Sequence, residues 1–230
     1  SNKNSGKYDF MKDLTKGSPS KVMISFAVPV ALGNIFQLCY SLADTRVVGS
    51  TLGEAALAAV GATTSISTLF IGFLSGLTNG FALLIARQFG AGDKRGVTRY
   101  GAGCLLLGGI TALLLTAACV GSLPFILKLL NVPDALMDQS TAYIRAVLLG
   151  LLATMLYNGC ASILRAVGDT TAPLLFLLFA AVLNVALDLL FILKFGFGVA
   201  GAAWATVLSQ SLYALISLVY MFKRYPVFRF

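Results

Sequence analysis

The chain has 230 residues, 58% of them hydrophobic and only 11% charged, with a mean hydropathy of +0.87. A soluble domain of this composition would lack the polar surface to cover itself, so the expected fold class is all-α, a polytopic membrane protein; the apolar stretches have the length of helices rather than barrel strands. The net charge of +8 points to membrane topology and not to nucleic acid, because the basic residues lie in loops and tails between apolar runs.

Residues 1–19 read as a basic, polar lead-in with no cleavable signal peptide. Six apolar segments follow, at about 20–46, 55–82, 95–123, 136–165, 170–194 and 199–222, with a short tail over 223–230. The joining segments are short, so sequence neighbours are expected to be antiparallel and adjacent. With the N-terminus inside, thirteen of the seventeen Lys and Arg residues fall on the inner side, and only Arg46, Lys128, Arg145 and Lys194 fall outside. The expected topology therefore has both termini cytoplasmic.

The first segment contains Pro29. Proline removes a helix hydrogen bond and clashes with the preceding turn, which gives either a static kink or a hinge that bends when a site changes state. Further along come Gln37, Tyr40, Ser41 and Asp44. Gln37, Ser41 and Asp44 step by four and three and share one helix face, a polar stripe aimed at protein or a cavity rather than lipid. Asp44 also has a plainer reading, as an interfacial residue paired with Arg46 or Arg145.

The second and third segments are rich in small residues, as in Gly61-Ala-Thr-Thr-Ser and Gly101-Ala-Gly-Cys. Such residues let helices approach closely in lipid. Gly90-Ala-Gly-Asp-Lys-Arg reads as a cytoplasmic turn; it lacks the Gly-Lys-Ser/Thr ending of a nucleotide loop, which argues against ATP-driven chemistry. Asp134 is placed to cap the fourth helix. That segment holds Tyr143, Arg145 and Asn158, the last deep enough for an interhelical hydrogen bond or a ligand contact. Asp169, in the turn before the fifth segment, reads as solvated or as a helix cap.

The fifth segment carries the most informative residues. Its apolar run Leu174–Lys194 is long enough to span a bilayer, and Asn184 and Asp188 interrupt it four residues apart, on one helix face. An aspartate deep in a span costs about 2.5–3.5 kcal/mol on insertion scales, so Asp188 requires a polar cavity or a partner. In the sixth segment Thr206 and Gln210 again share a face, although a membrane threonine usually bonds its own backbone.

The chain contains no histidine, which excludes histidine metal sites and acid–base chemistry. Cys39, Cys104, Cys119 and Cys160 are scattered singly in apolar runs and read as small core residues. With no nucleophile–base pair, metal cluster or cofactor loop, an enzyme is not expected.

Four stretches then carry a resemblance: Leu52-Gly-Glu-Ala-Ala-Leu-Ala-Ala-Val-Gly61, Gln88-Phe-Gly-Ala-Gly-Asp93, Leu164-Arg-Ala-Val-Gly-Asp-Thr-Thr-Ala-Pro173 and Gly198-Val-Ala-Gly-Ala-Ala-Trp-Ala-Thr206. In order and spacing across residues 19–222 the chain resembles the N-terminal half of a multidrug and toxic compound extrusion (MATE) transporter, of the branch similar to the DNA-damage-inducible F proteins. The resemblance implies a six-helix lobe, with residues 223–230 similar to the start of an inter-lobe linker. It implies a cation site at Asp44, Asn184, Asp188 and Thr206, taking H⁺ or Na⁺ and no other metal or cofactor. It also implies a bent first helix at Pro29 and a substrate cavity lined by Gln37, Tyr40, Tyr143 and Asn158.

The function implied is that of a cation-coupled antiport lobe of a multidrug exporter, in a bacterial or archaeal plasma membrane. The sparse intramembrane charge favours small amphipathic cationic substrates. Such transporters have two lobes, so a second six-helix lobe is implied as partner, either a C-terminal half or a second copy, alongside the lipid bilayer. Two further readings compete: a non-transporting membrane scaffold, and a flippase-like transporter of a lipid-linked substrate.

Overall fold

The computed structural model describes residues 19–228. The expected lead-in lies outside these residues apart from Pro19, as do Arg229 and Phe230 of the tail. The described chain contains α1 (Pro19–Leu52), α2 (Glu54–Gly90), α3 (Lys94–Leu129), α4 (Asp134–Leu149), α5 (Leu151–Ala166), α6 (Thr171–Leu189) and α7 (Gly198–Arg224), and no strand. A π-helical turn, Leu190–Lys194, extends α6, and a 3₁₀ turn, Pro226–Phe228, follows α7.

Five of these helices are individually long and apolar enough to cross a membrane, and α4 with α5, taken together across their bend, meets the same test as a sixth candidate span. The longest exceed what the bilayer requires: α2 has 37 residues, about 55 Å at 1.5 Å per residue, against a hydrocarbon core of about 30 Å.

The fourth span departs from the single helix expected over 136–165. It bends by 46° at Gly150, between α4 and α5. A Cβ at Gly150 would collide with the side chain of Val207, so glycine there lets α7 come close to the break. The third span runs on through Pro124 to Leu129. Pro133, not Asp134, occupies the cap position of α4; Asp134 sits in the first turn and makes no capping bond, where its charge still complements the helix N-terminus.

Adjacency along the sequence also fails in two places. α5 lies among α2, α3 and α7 and scarcely meets α6, while α1 packs chiefly on α6 rather than α2. Gly168, with φ 87°, turns the chain between α5 and α6 and lets α6 leave toward α1 and α7. α5 is the most enclosed helix, burying Leu151, Met155, Cys160, Ile163 and Leu164 among others. α1 is the opposite: among its described side chains Val48 alone is fully buried. Its exposed Met23, Ile24, Ile35, Leu38 and Leu42 suit lipid or another apolar partner.

The core divides toward the two ends of the bundle. One cluster joins Leu74, Leu123, Leu127, Ile144 and Leu151; another joins Ile85, Ile163, Leu164, Met221 and Phe228. Cys104, Cys119 and Cys160 are buried and free, as expected of small core residues, whereas Cys39 is exposed on α1. Of the small-residue stretches, the one at 101–104 packs closely, with Gly101 buried and Gly103 against Phe81. Gly61 instead faces open space, and its neighbours Thr63 and Thr64 return hydrogen bonds to the carbonyl of Val60.

Candidate functional site

Asn184 and Asp188 lie one helical turn apart on α6, and both have no exposed surface. Four-residue spacing puts them on the side of α6 that meets α1 and α7, which supply their neighbours. Asp44, half-buried on α1, comes within hydrogen-bonding reach of Asp188. Thr206 on α7 closes the cluster: its Oγ1 accepts the Asn184 amide at 3.1 Å and the Tyr40 hydroxyl at 3.3 Å. With both lone pairs engaged, the Thr206 hydroxyl retains its own proton for donation.

What the cluster lacks is as informative as what it holds. Asp44 Oδ1, Asn184 Oδ1 and both carboxylate oxygens of Asp188 are buried without a hydrogen-bond donor. Buried polar atoms are normally satisfied, and two ionised carboxylates side by side cannot satisfy each other, since neither donates. A proton shared by the pair, or a hard cation among these oxygens, supplies what is missing. Arg46 and Arg145 are exposed and, among the described residues, form no ion pair with Asp44. The interfacial reading of Asp44 therefore has no support in this geometry.

The remaining expected residues fall at different distances from this centre. Tyr40 and Tyr143 lie near enough to feel both carboxylate charges. Gln37 is exposed and lines a small hollow with Tyr40, Tyr157 and Gln210. Gln210 in turn accepts the Thr154 hydroxyl of α5 at 2.7 Å. Ser41, on the expected stripe, is exposed; Tyr40, one position off that stripe, makes the hydrogen bond. Asn158 is half-buried on α5 and makes no hydrogen bond among the described residues. Pro29 sits within an unbroken α1 and borders a second hollow and a larger cleft. No group of three or more His, Cys, Asp or Glu residues suited to a metal occurs among the described residues.

Three features were not anticipated. The π-helical turn begins two residues after Asp188 and is marked by the bond from Phe195 N to Leu190 O at 3.1 Å; such turns recur at functional sites. Asn79 of α2, unremarked within an apolar segment, accepts the Ser162 hydroxyl at 3.1 Å, and Arg165 donates to the same Ser162 at 3.2 Å. Finally, Asp169 does more than cap α6. Its Oδ1 accepts from Ala172 N at 3.1 Å, while Oδ2 accepts the hydroxyls of Tyr220 and Tyr225, each at 2.9 Å. Burial, and then the Asp169 charge, push the Tyr225 phenol above its ordinary range, which keeps it a neutral donor. The aspartate was legible as a turn residue; its tyrosine partners, 51 and 56 residues away, left no local signal.

Comparison with known proteins bears on the family and the fold. The MatE family profile matches residues 29–190. The chain is 34% identical to the probable multidrug resistance protein YpnP of Bacillus subtilis, over 92% of this chain and 47% of that protein. It is 29% identical to the probable multidrug resistance protein NorM of Thermotoga maritima, over 89% of this chain and 45% of that one. Among solved structures, it resembles a MATE crystal structure in the straight conformation with a TM-score of 0.88 and 31% identity, covering 96% of this chain and 49% of the other. Against a MATE structure in the bent conformation the TM-score is 0.83 at 30% identity, covering 91% and 47%. The chain thus spans about half the length of these relatives. A profile match over most of its length, together with one lobe's worth of shared fold, means that the chain belongs to the MatE family.

Proposed function

We propose that the chain is the cation-binding lobe of a multidrug exporter, coupling entry of H⁺ or Na⁺ to export of small amphipathic cations. The observation that carries this reading is the set of buried oxygens without donors on Asp44, Asn184 and Asp188, gathered from two helices. The names of its relatives as probable multidrug resistance proteins support drug export. Its span of half their length supports a second lobe, a C-terminal half or a second copy, as the other wall of the substrate path. The distribution of Lys and Arg supports both termini on the cytoplasmic side.

Asp188 accepts hydrogen bonds when ionised and donates one when protonated. A proton on the pair therefore converts an unsatisfied contact between Asp44 and Asp188 into a hydrogen bond that draws α1 toward α6. Sodium would instead be held by the same oxygens together with the Asn184 carbonyl. Either event changes the relative stability of two positions of α1, and Pro29 provides a point at which that helix bends. Export follows if substrate binds one of those positions better than the other.

The chain has a single tryptophan, Trp204, two residues from Thr206, and its fluorescence reports on the site without needing a second lobe. Acidification or added Na⁺ is expected to change Trp204 emission, and Asp188→Asn is expected to abolish that change while the protein stays monodisperse. In proteoliposomes that hold both lobes, uptake of a fluorescent cationic dye should follow the same ion gradient and be lost in Asp188→Asn. An ion response unchanged in a well-folded Asp188→Asn protein overturns the reading.

A further inference from the structure

Three hollows follow one another along α1. The first, ≈ 30 Å³, lies between Gln37, Tyr40 and Gln210, beside the Tyr40–Thr206 bond of the cation site. The second, ≈ 40 Å³, shares Gln37, Tyr157 and Leu177 with the first and adds Gly33 and Arg165. The third is a cleft of ≈ 610 Å³ around Asp169, which shares Pro29 and Thr170 with the second. The two small hollows each have space for roughly two water molecules. Their walls carry the polar groups that water requires, among them Gln37, Tyr157 and Arg165.

Arg165 lines the second hollow, together with the Pro29 and Thr170 that also border the cleft. Ser162 and, through it, Asn79 fix its guanidinium from the side of α5 and α2. It is half-buried, and among the described residues it forms no ion pair. Tyr157 and Tyr213, which line the same hollow, lie within reach of its charge. An arginine is always charged, and with no ion-pair partner among the described residues it leaves a positive potential across this small hollow. A fixed cation so placed repels mobile cations and admits water.

We propose that these hollows form a hydrated access path from the Asp169 end of the lobe to the Asp44–Asp188 pair, and that Arg165 bars free cations from it. The proposal rests on the cation-coupling reading only for what the path finally releases. Under it, a cation held by the carboxyl pair does not leak toward the Asp169 end while Arg165 keeps its place. Release requires α1 or Arg165 to shift, and Pro29 borders both the second hollow and the cleft.

Gly33 is a suitable reporter, because a Cβ there would meet only Leu174 and Leu177, each at 3.9 Å. Gly33→Cys would be made in a Cys39→Ala background, where the other cysteines are buried, and reconstituted in liposomes. Anionic sulfonate and cationic trimethylammonium thiosulfonate reagents would be applied to the membrane face that carries Asp169, with rates normalised to a free thiol. The anionic reagent is expected to react about tenfold faster. Arg165→Gln should erase that preference, Arg165→Lys should restore it, and about 1 M salt should shrink it when Arg165 is intact.

No labelling from that face overturns the path, and a preference that survives Arg165→Gln overturns the role of Arg165. Should Arg165→Gln fail to fold, the salt dependence decides: a salt-insensitive preference overturns that role. Labelling needs no ion binding. A labelled Gly33→Cys protein with a silent Trp204 titration would keep the path and discard the coupling, and the reverse would discard the path alone.

Discussion

Asn184 on α6 donates to Thr206 on α7 over 3.1 Å, and the acceptor is the same oxygen that Tyr40 of α1 uses at 3.3 Å. One hydroxyl thus ties three helices together at the level of the carboxyl pair. Thr206→Val keeps the shape and removes the acceptor, leaving a buried amide and a phenol unpaired. The expected loss is about 1–2 kcal/mol of stability, measured by thermal unfolding in detergent, whereas Thr206→Ser should stay within about 0.5 kcal/mol of the parent. Equal losses in the two variants would show that the methyl group, not the hydroxyl, matters.

Asp169 links the start of α6 to the end of α7 and to the tail that follows it. Asp169→Ala removes the acceptor for one backbone and two phenol donors. The expected cost is about 2 kcal/mol, since these are bonds to a charged group that is only half-buried. Release of the tail should expose the bond after Arg224, so limited trypsin digestion is expected to cut there several-fold faster, with Asp169→Asn intermediate. An unchanged cleavage rate would show that the tail is held by other contacts, such as the buried Phe228 and the bond from Thr98 to the carbonyl of Val227.

Two tightly packed glycines should respond differently. A Cβ at Gly150 meets Val207, and one at Gly108 meets the end of Met155. Valine is branched and stiff at χ1, whereas methionine turns aside easily. Gly150→Ala is therefore expected to cost about 1–3 kcal/mol and Gly108→Ala under about 1 kcal/mol. Adding Val207→Ala should recover much of the first loss, which a double-mutant cycle would read directly.

Tyr225 gives the tail a pH dependence. An unfolded phenol titrates near pH 10, while burial and Asp169 hold the folded one higher. Its contribution is therefore constant below about pH 10 and falls as the pH rises from there toward the folded pKa. Tyr225→Phe should flatten the decline in thermal midpoint between about pH 9.5 and 11 relative to the parent; an unchanged slope would remove Tyr225 as its source.

The spans were legible because hydrophobic runs and Lys/Arg punctuation act residue by residue. The relation of Asn184 to Asp188 was legible because four-residue spacing is local geometry. The break at Gly150 was not: a glycine in an apolar run reads as a tolerated residue until Val207, 57 positions later, is known to press against it. The polar stripe on α1 was read from periodicity, yet Tyr40 and not Ser41 makes the interhelical bond, because periodicity gives a face and not a partner. Arg165 was legible as an inner-side charge; its attachment to Asn79 through Ser162 depends on how α2 and α5 meet. Nor did the sequence signal the π-helical turn after Asp188, since its residues continue the apolar run of α6 without interruption.

The shallow seat of α1 sets the cost of moving it. This helix carries Asp44 and Tyr40, yet among its described side chains only Val48 is fully buried. A tilt exchanges lipid-like contacts for lipid-like contacts, so little apolar surface is lost in either direction. The Tyr40–Thr206 bond latches the helix to α7, and under the proposed coupling a proton or ion between Asp44 and Asp188 would be a second catch on the same lever.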